Sequence, residues 1–260
     1  MMLKFSKYHG AGNDFILIDN RNDEIKINCK EVSYLCNRHF GIGADGLMLL
    51  NSSKNHDFAM KYYNSDGNES SMCGNGGRCI TAFASKLGVI NNTTIFSAID
   101  GLHTAEIIED KGSLKTIRLQ MTDVKEITHF DNFNLLNTGS PHYVQFVKSV
   151  NDIDVLTEGR KIRYDKKFSP EGLNVNFVQI LENQLFVRTY ERGVENETLS
   201  CGTGVTASAL AFAFDKDIHQ VFIHTLGGNL TVSFKKQNNT FQNIFLEGEA
   251  CFVYEGKINI

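Results

Sequence analysis

Apolar and polar residues alternate in short runs along most of this chain, and the runs are bounded by Gly, Asn and Asp, the period-two pattern of β-strands. Phe58-Ala-Met-Lys-Tyr-Tyr63 and Leu185-Phe-Val-Arg-Thr-Tyr190 predict two such strands. Two segments break the alternation. Residues 205–214 are apolar or small on every side, and residues 80–87 are nearly so before Gly88, which sits where a left-handed helix cap is expected. A helix apolar all round must be buried all round. The pattern therefore predicts many strands curved about two enclosed helices.

The two helices open alike. Cys73-Gly-Asn-Gly-Gly precedes one and Cys201-Gly-Thr-Gly-Val the other, one in each half of the 260-residue chain. The predicted strands at 58–63 and 185–190 lie at nearly equal offsets before the two cysteines. Gly101 and Gly228 follow at nearly equal offsets, and Gly12 and Gly139 precede at nearly equal offsets. Four matched landmarks indicate two copies of one unit, joined near residues 118–134. The expected fold class is α+β with two pseudo-symmetric domains, 1–122 and 123–260. Each would be a curved, mostly antiparallel β-sheet or barrel wrapped around a central buried helix, with the active site in the cleft between them. The final strand, 250–260, is free to return to the first half.

Composition narrows the chemistry. Hydrophobic residues make up 42% and charged residues 22%, an ordinary balance for a folded soluble chain. A net charge of −4 gives no basic footprint for nucleic acid. No stretch has the length of a membrane span, and the first residues lack a signal-peptide pattern, so a cytoplasmic location is expected. The six cysteines lack metal-ligand spacing and are expected to be reduced, with no bound metal. Cys29, Cys36 and Cys251 read as small buried residues.

Cys73 and Cys201 are different. The first turn of a helix offers backbone N–H groups without intrahelical partners and the positive end of the macrodipole, both of which favour thiolate. Glycines beside each cysteine leave those N–H groups approachable, and the same donors can hold a carboxylate. Two such mouths facing one another would put a thiol on each side of one carbon, the arrangement for inverting a stereocentre. Nothing suggests an anchor for pyridoxal phosphate, so no cofactor is expected. One cysteine would act as thiolate base and the other as thiol acid, sharing one proton as a dyad.

At these residues the chain resembles the diaminopimelate epimerases over almost its whole length. The segments are His9-Gly-Ala-Gly-Asn-Asp14, Arg38-His-Phe-Gly-Ile-Gly-Ala-Asp45, Tyr63-Asn-Ser-Asp66, Cys73-Gly-Asn-Gly-Gly-Arg-Cys79, Leu173-Asn174, Tyr190-Glu-Arg-Gly193 and Cys201-Gly-Thr-Gly204. The resemblance implies a cofactor-independent isomerase that interconverts LL- and meso-diaminopimelate in lysine and cell-wall synthesis. It implies that Cys73 and Cys201 are the acid/base pair, and leaves a homodimer open. Backbone groups of Gly74, Asn75, Gly202 and Thr203 would hold the reacting carboxylate. Asn13, Asn64, Asn174, Glu191 and Arg192 would hold the amino groups and the distal carboxylate, while His142 and Glu191 would tune the cysteines. Gly46 and Ser140 depart from the pattern, since some family members carry glutamine and asparagine there.

Other readings remain open on sequence alone. Proline racemases and hydroxyproline epimerases resemble the chain in the two cysteines, but their ligands have one amino-acid end, whereas Asn64, Asn174 and Arg192 suit a second charged end. Gly41-Ile-Gly-Ala-Asp-Gly46 matches a dinucleotide fingerprint, but a helix-like segment precedes it and a strand-like one follows, the reverse of the required order. A binding or redox protein using the two thiols is the third class.

Overall fold

The computed structural model describes residues 2–71 and 73–260; Met1 and Met72 lie outside the described residues. The chain divides into two compact units, residues 1–119 with 248–260, and residues 120–247.

The first unit carries β1 (Met2–Gly10), β2 (Asn13–Asn20), α1 (Cys29–Cys36), β3 (Gly46–Asn51), β4 (Phe58–Asn64), β5 (Glu69–Ser70), α2 (Gly74–Lys86), β6 (Thr93–Ala98), β7 (Gly101–Asp110) and β8 (Leu114–Gln120). The second carries β9 (Ile127–His129), β10 (Asn134–Asn137), β11 (Pro141–Val147), α3 (Val155–Arg163), β12 (Asn174–Ile180), β13 (Leu185–Glu191), β14 (Asn196–Thr198), α4 (Gly202–Ala213), β15 (Gln220–Thr225) and β16 (Gly228–Gln237). The last strand, β17 (Thr240–Asn259), begins in the second unit and ends in the first.

In the first unit the strands pair in a closed ring: β1 with β2, then β3, β4, β6, β7, β8, the end of β17, and β1 again. Closure leaves no strand edge exposed along the ring. Most pairs are antiparallel, but β2–β3 and β4–β6 are parallel, and the chain makes those crossovers through α1 and α2. The second unit repeats this, with β11–β12 and β13–β15 parallel across α3 and α4. The α+β reading holds, and each all-round apolar segment is a crossover helix.

A crossover sheet is covered on both faces, so its strands read as continuous apolar runs. Ile16, Ile18, Leu47 and Leu49 pack with Val32 and Leu35 of α1 on one face. Phe15, Leu17, Met48 and Leu50, of alternate parity, are fully buried on the other. There α2 lies so close that a Cβ on Gly76 would come 2.4 Å from Met48 Cε. In the second unit Val175, Phe177 and Tyr190 pack with Val155 of α3. On the α4 side a Cβ on Gly204 would come 2.3 Å from Asn176 Oδ1. The matched glycines share backbone conformation as well: Gly12 and Gly139 have φ of 80° and 106°, and Gly101 and Gly228 have 127° and 147°.

Helix α2 spans Gly74–Lys86 with Cys73 as its N-cap, so the cysteine opens the helix as the sequence predicts. It ends as expected at Gly88, in the left-handed region with φ of 69°. Helix α1, at Cys29–Cys36, starts earlier than its apolar pattern because Asn28 and Glu31 form a reciprocal cap. The sequence reading did not anticipate α3, whose mean composition is polar.

Gly159 of α3 lies against β13, where an added Cβ would fall 2.4 Å from Tyr190 Cβ. Gly159→Ala is expected to lower stability by about 1–3 kcal/mol through overpacking, read as a lower urea midpoint with unchanged m-value.

Candidate functional site

Cys73 and Cys201 occupy the same structural position, the N-cap of a buried crossover helix. Strand register extends the match between units. Gly46 pairs with Phe15 on one side and Asn64 on the other; Asn174 pairs with His142, and its neighbour Val175 pairs with Tyr190, as Leu47 pairs with Tyr63. Thus Asn64 corresponds to Glu191, Gly46 to Asn174, Phe15 to His142 and Met48 to Asn176.

Around Cys73 the geometry is that of a held sulfur. Gly76 N–H donates to Sγ at 3.1 Å, and Asn13 Oδ1 lies 3.9 Å from Sγ, where it can accept from a thiol. The same Oδ1 accepts from Asn75 Nδ2 at 3.2 Å. Asn13 is oriented from behind, because its Nδ2 donates to Asp45 Oδ2 at 2.7 Å. Arg38 bridges Asp45 and Asp14, and Lys7 also pairs with Asp14 at 2.7 Å. Burial opposes charge on Asp14, yet hydrogen bonds from Arg38 and Lys7 pull its carboxyl down to about 2. Asn64 ends β4 opposite Gly46. A Cβ on Gly46 would stand 2.5 Å from Tyr62 Cε2 and 2.7 Å from Tyr63 O, so the Tyr62 ring takes up the space of any side chain there.

Around Cys201 runs a chain of polar side chains. Asn176 Nδ2 donates to Tyr143 O at 2.9 Å and also to His142 Nδ1 at 3.1 Å. That assigns the neutral Nε2–H tautomer to His142, which donates to Ser140 Oγ at 3.1 Å. Asn174 Nδ2 also donates to Ser140 Oγ, at 2.9 Å. With both acceptor positions used, the Ser140 hydroxyl points its proton at Thr203 Oγ1, 3.4 Å away. Thr203 Oγ1 in turn lies 3.4 Å from Cys201 Sγ. Thr138 Oγ1 fixes the turn by donating to Thr203 O at 2.9 Å. Asn174 Oδ1 accepts the Arg192 backbone N–H at 2.9 Å, and Glu191 accepts from Thr198 Oγ1 at 2.9 Å. Among the described residues the Arg192 guanidinium meets only the carbonyls of Glu171 and Gly172, at 3.4 and 3.5 Å, both from one nitrogen.

Diaminopimelate epimerase is the family model that matches, over residues 5–127 and 134–253. The chain is 54% identical to a diaminopimelate epimerase of Flavobacterium psychrophilum, covering 98% of this chain and 100% of the relative. It is 41% identical to that of Chlorobaculum tepidum, covering 96% and 99%. This chain belongs to the diaminopimelate epimerase family. Epimerases are isomerases, and this is the class of enzyme it represents.

Its fold is shared more widely. A phenazine biosynthesis protein of the PhzF family from Bacillus anthracis superposes with a TM-score of 0.80 at 15% identity, covering 100% of both chains. A hydroxyproline epimerase from Agrobacterium vitis gives 0.71 at 15% identity, covering 99% of this chain and 91% of the other. These likenesses concern the two-domain architecture alone.

Within each unit the family-matched residues converge as side chains. Asn13, Asn75 and Cys73 form one cluster; His142, Asn174, Thr203 and Cys201 form another. Sequence reasoning missed Asp45, Arg38, Asn176 and Thr138, which orient members of those clusters. Asn176 did carry a signal, being an amide two residues after Asn174 and on the same face of an apolar strand. Ser140 keeps a hydroxyl at the junction of His142, Asn174 and Thr203, so the departure from the family amide preserves a hydrogen-bonding centre.

Burial, with a contribution from the Arg192 charge, pulls the His142 imidazole from 6.5 to about 3. The unfolded chain takes up that proton near 6.5, and the folded chain resists it until about 3. This contribution to stability is therefore complete above the unfolded value and is lost as pH falls toward 3. Urea midpoints are expected to drop between pH 7.5 and 4.5, with a shallower drop in His142→Gln. Nitrogen NMR at pH 6 should show the neutral Nε2–H form.

Proposed function

We propose that this chain interconverts LL- and meso-2,6-diaminopimelate without a cofactor, by proton transfer between Cys73 and Cys201. The observation that carries the reading is the repeated one: in each unit a cysteine caps a buried helix at the same place in the same crossover motif. Inversion needs a thiol on each side of one α-carbon, and a duplicated unit supplies two. One thiolate removes the α-proton while the opposite thiol delivers another, and the roles exchange with direction.

The remaining residues suit the substrate. Backbone N–H groups at Gly74–Asn75 and Gly202–Thr203 would receive the reacting carboxylate and stabilise the charge that develops on it as the α-proton leaves. Asn13, Asn64, Asn174 and Glu191 offer acceptors for ammonium, and Arg192 offers paired donors for the distal carboxylate. His142, through Ser140 and Thr203, would set the hydrogen-bonding state of Cys201. A cytoplasmic enzyme supplying lysine and cell-wall precursors fits this reading. Among the described residues no helix is long and apolar enough to cross a membrane, and all six cysteines are free thiols.

Incubation of LL-diaminopimelate in heavy water should place deuterium at the α-carbon of the meso product. Cys73→Ser and Cys201→Ser are each expected to lower turnover by about 10²–10⁴, the range for loss of a positioned acid or base. Near-normal turnover in either variant removes that cysteine from the mechanism. Activity on proline with none on diaminopimelate overturns the substrate.

A further inference from the structure

Among the described residues Arg78 is the largest fully buried side chain, with 0% exposure. Its hydrogen bonds go to Gly74 O at 3.2 Å and Asn75 Oδ1 at 2.9 Å, and its Nε is buried without a partner. Among the described residues none of its partners is a carboxylate. Gly10 makes room for it, since a Cβ there would stand 3.3 Å from Arg78 Nη2. A guanidinium remains protonated even when buried, and a buried charge without a counter-charge is costly. The opposite charge has to come from somewhere.

Few groups around it can supply one. Cys79 adjoins Arg78 in the chain, and Cys73 caps the same helix and is tied to Arg78 through Asn75 and Asn13; burial pushes the Cys79 thiol well up, so it stays neutral. Burial likewise raises Tyr8 on β1 and Cys251 on β17. Asp14 on β2 is already committed to Lys7 and Arg38. His9 on β1 brings a buried Nδ1 and no negative charge. Strand β3 contributes Met48, and β7 buries Ala105 and Ile107 rather than its acids. In the second unit the position matching Arg78 is Thr206, whose hydroxyl donates to Gly202 O at 2.9 Å as Arg78 Nη1 donates to Gly74 O. One repeat holds a fixed cation where the other holds a neutral hydroxyl.

Resting on the two-cysteine reading above, we propose that Arg78 is the built-in counter-charge of a Cys73 thiolate, so that in the resting enzyme Cys73 is the deprotonated member of the pair and Cys201 holds the proton. Arg78 is a positioning residue: it also holds the amide of Asn75, which in turn holds Asn13 beside Cys73.

The test is alkylation of the substrate-free enzyme with iodoacetamide from pH 5 to 10, each cysteine quantified by peptide mass spectrometry. In the wild type the pH–rate midpoint of Cys73 is expected below that of Cys201 by at least about one unit, a tenfold difference in thiolate fraction at pH below both. Arg78→Met should raise the Cys73 midpoint by about one unit or more, and Arg78→Lys should restore it. The midpoint reports ionisation rather than access, so a purely structural role would not move it. A Cys201 midpoint at or below that of Cys73 overturns the assignment, and that comparison needs no variant. So does a folded Arg78→Met with an unmoved midpoint, or an Arg78→Lys that behaves like it. Because no substrate is used, this outcome is independent of whether diaminopimelate is turned over.

Discussion

A helix enclosed on all sides must satisfy the N–H groups of its first turn at whatever group sits at its mouth, because water cannot reach them elsewhere. In α2 and α4 that constraint organises the surrounding structure. Each helix is a crossover between parallel strands, and its mouth is the turn that leads into its N-terminus. The residue at the opening is a cysteine, and in the first unit its sulfur takes the N–H of Gly76 directly. The close approach of helix to strand excludes side chains at Gly76 and Gly204, which keeps the donors accessible. Fold and site have one cause.

Much of this was legible in the residues. Strand alternation, the two all-round apolar segments and the matched glycines were enough to anticipate an α+β duplication with a thiol at each helix mouth. Three features were not legible, for identifiable reasons. Parallel pairing is a tertiary choice that alternation does not encode. Helix α3 has too polar a composition to stand out, and buries little beyond Val155 and Gly159. The partners that orient Asn13 and His142 come from strands distant in sequence, so Asp45 and Asn176 look like ordinary turn and strand residues until register brings them together.

The two repeats use different means for the same task. The first places Phe15, Met48 and Tyr62, all buried, on the strands beside its helix and fixes Asn13 from outside through an Arg38–Asp45 ion pair. The second places His142, Asn176 and Thr189 at the matching positions and runs a directed line of hydrogen bonds to Thr203. Such a line is oriented by its buried end, where Tyr143 O dictates which way Asn176 must face. Polar groups sealed in a core need full pairing, which is why this line is continuous.

That divergence bears on how a duplicated gene becomes an enzyme. A protein assembled from two first repeats would bury a guanidinium in both cysteine-capped helices and favour two bases with no acid. One assembled from two second repeats would have no formal charge behind either sulfur and would favour two acids with no base. On the assignment of Arg78, the difference between an arginine and Thr206 is what keeps a symmetric scaffold holding an odd number of protons.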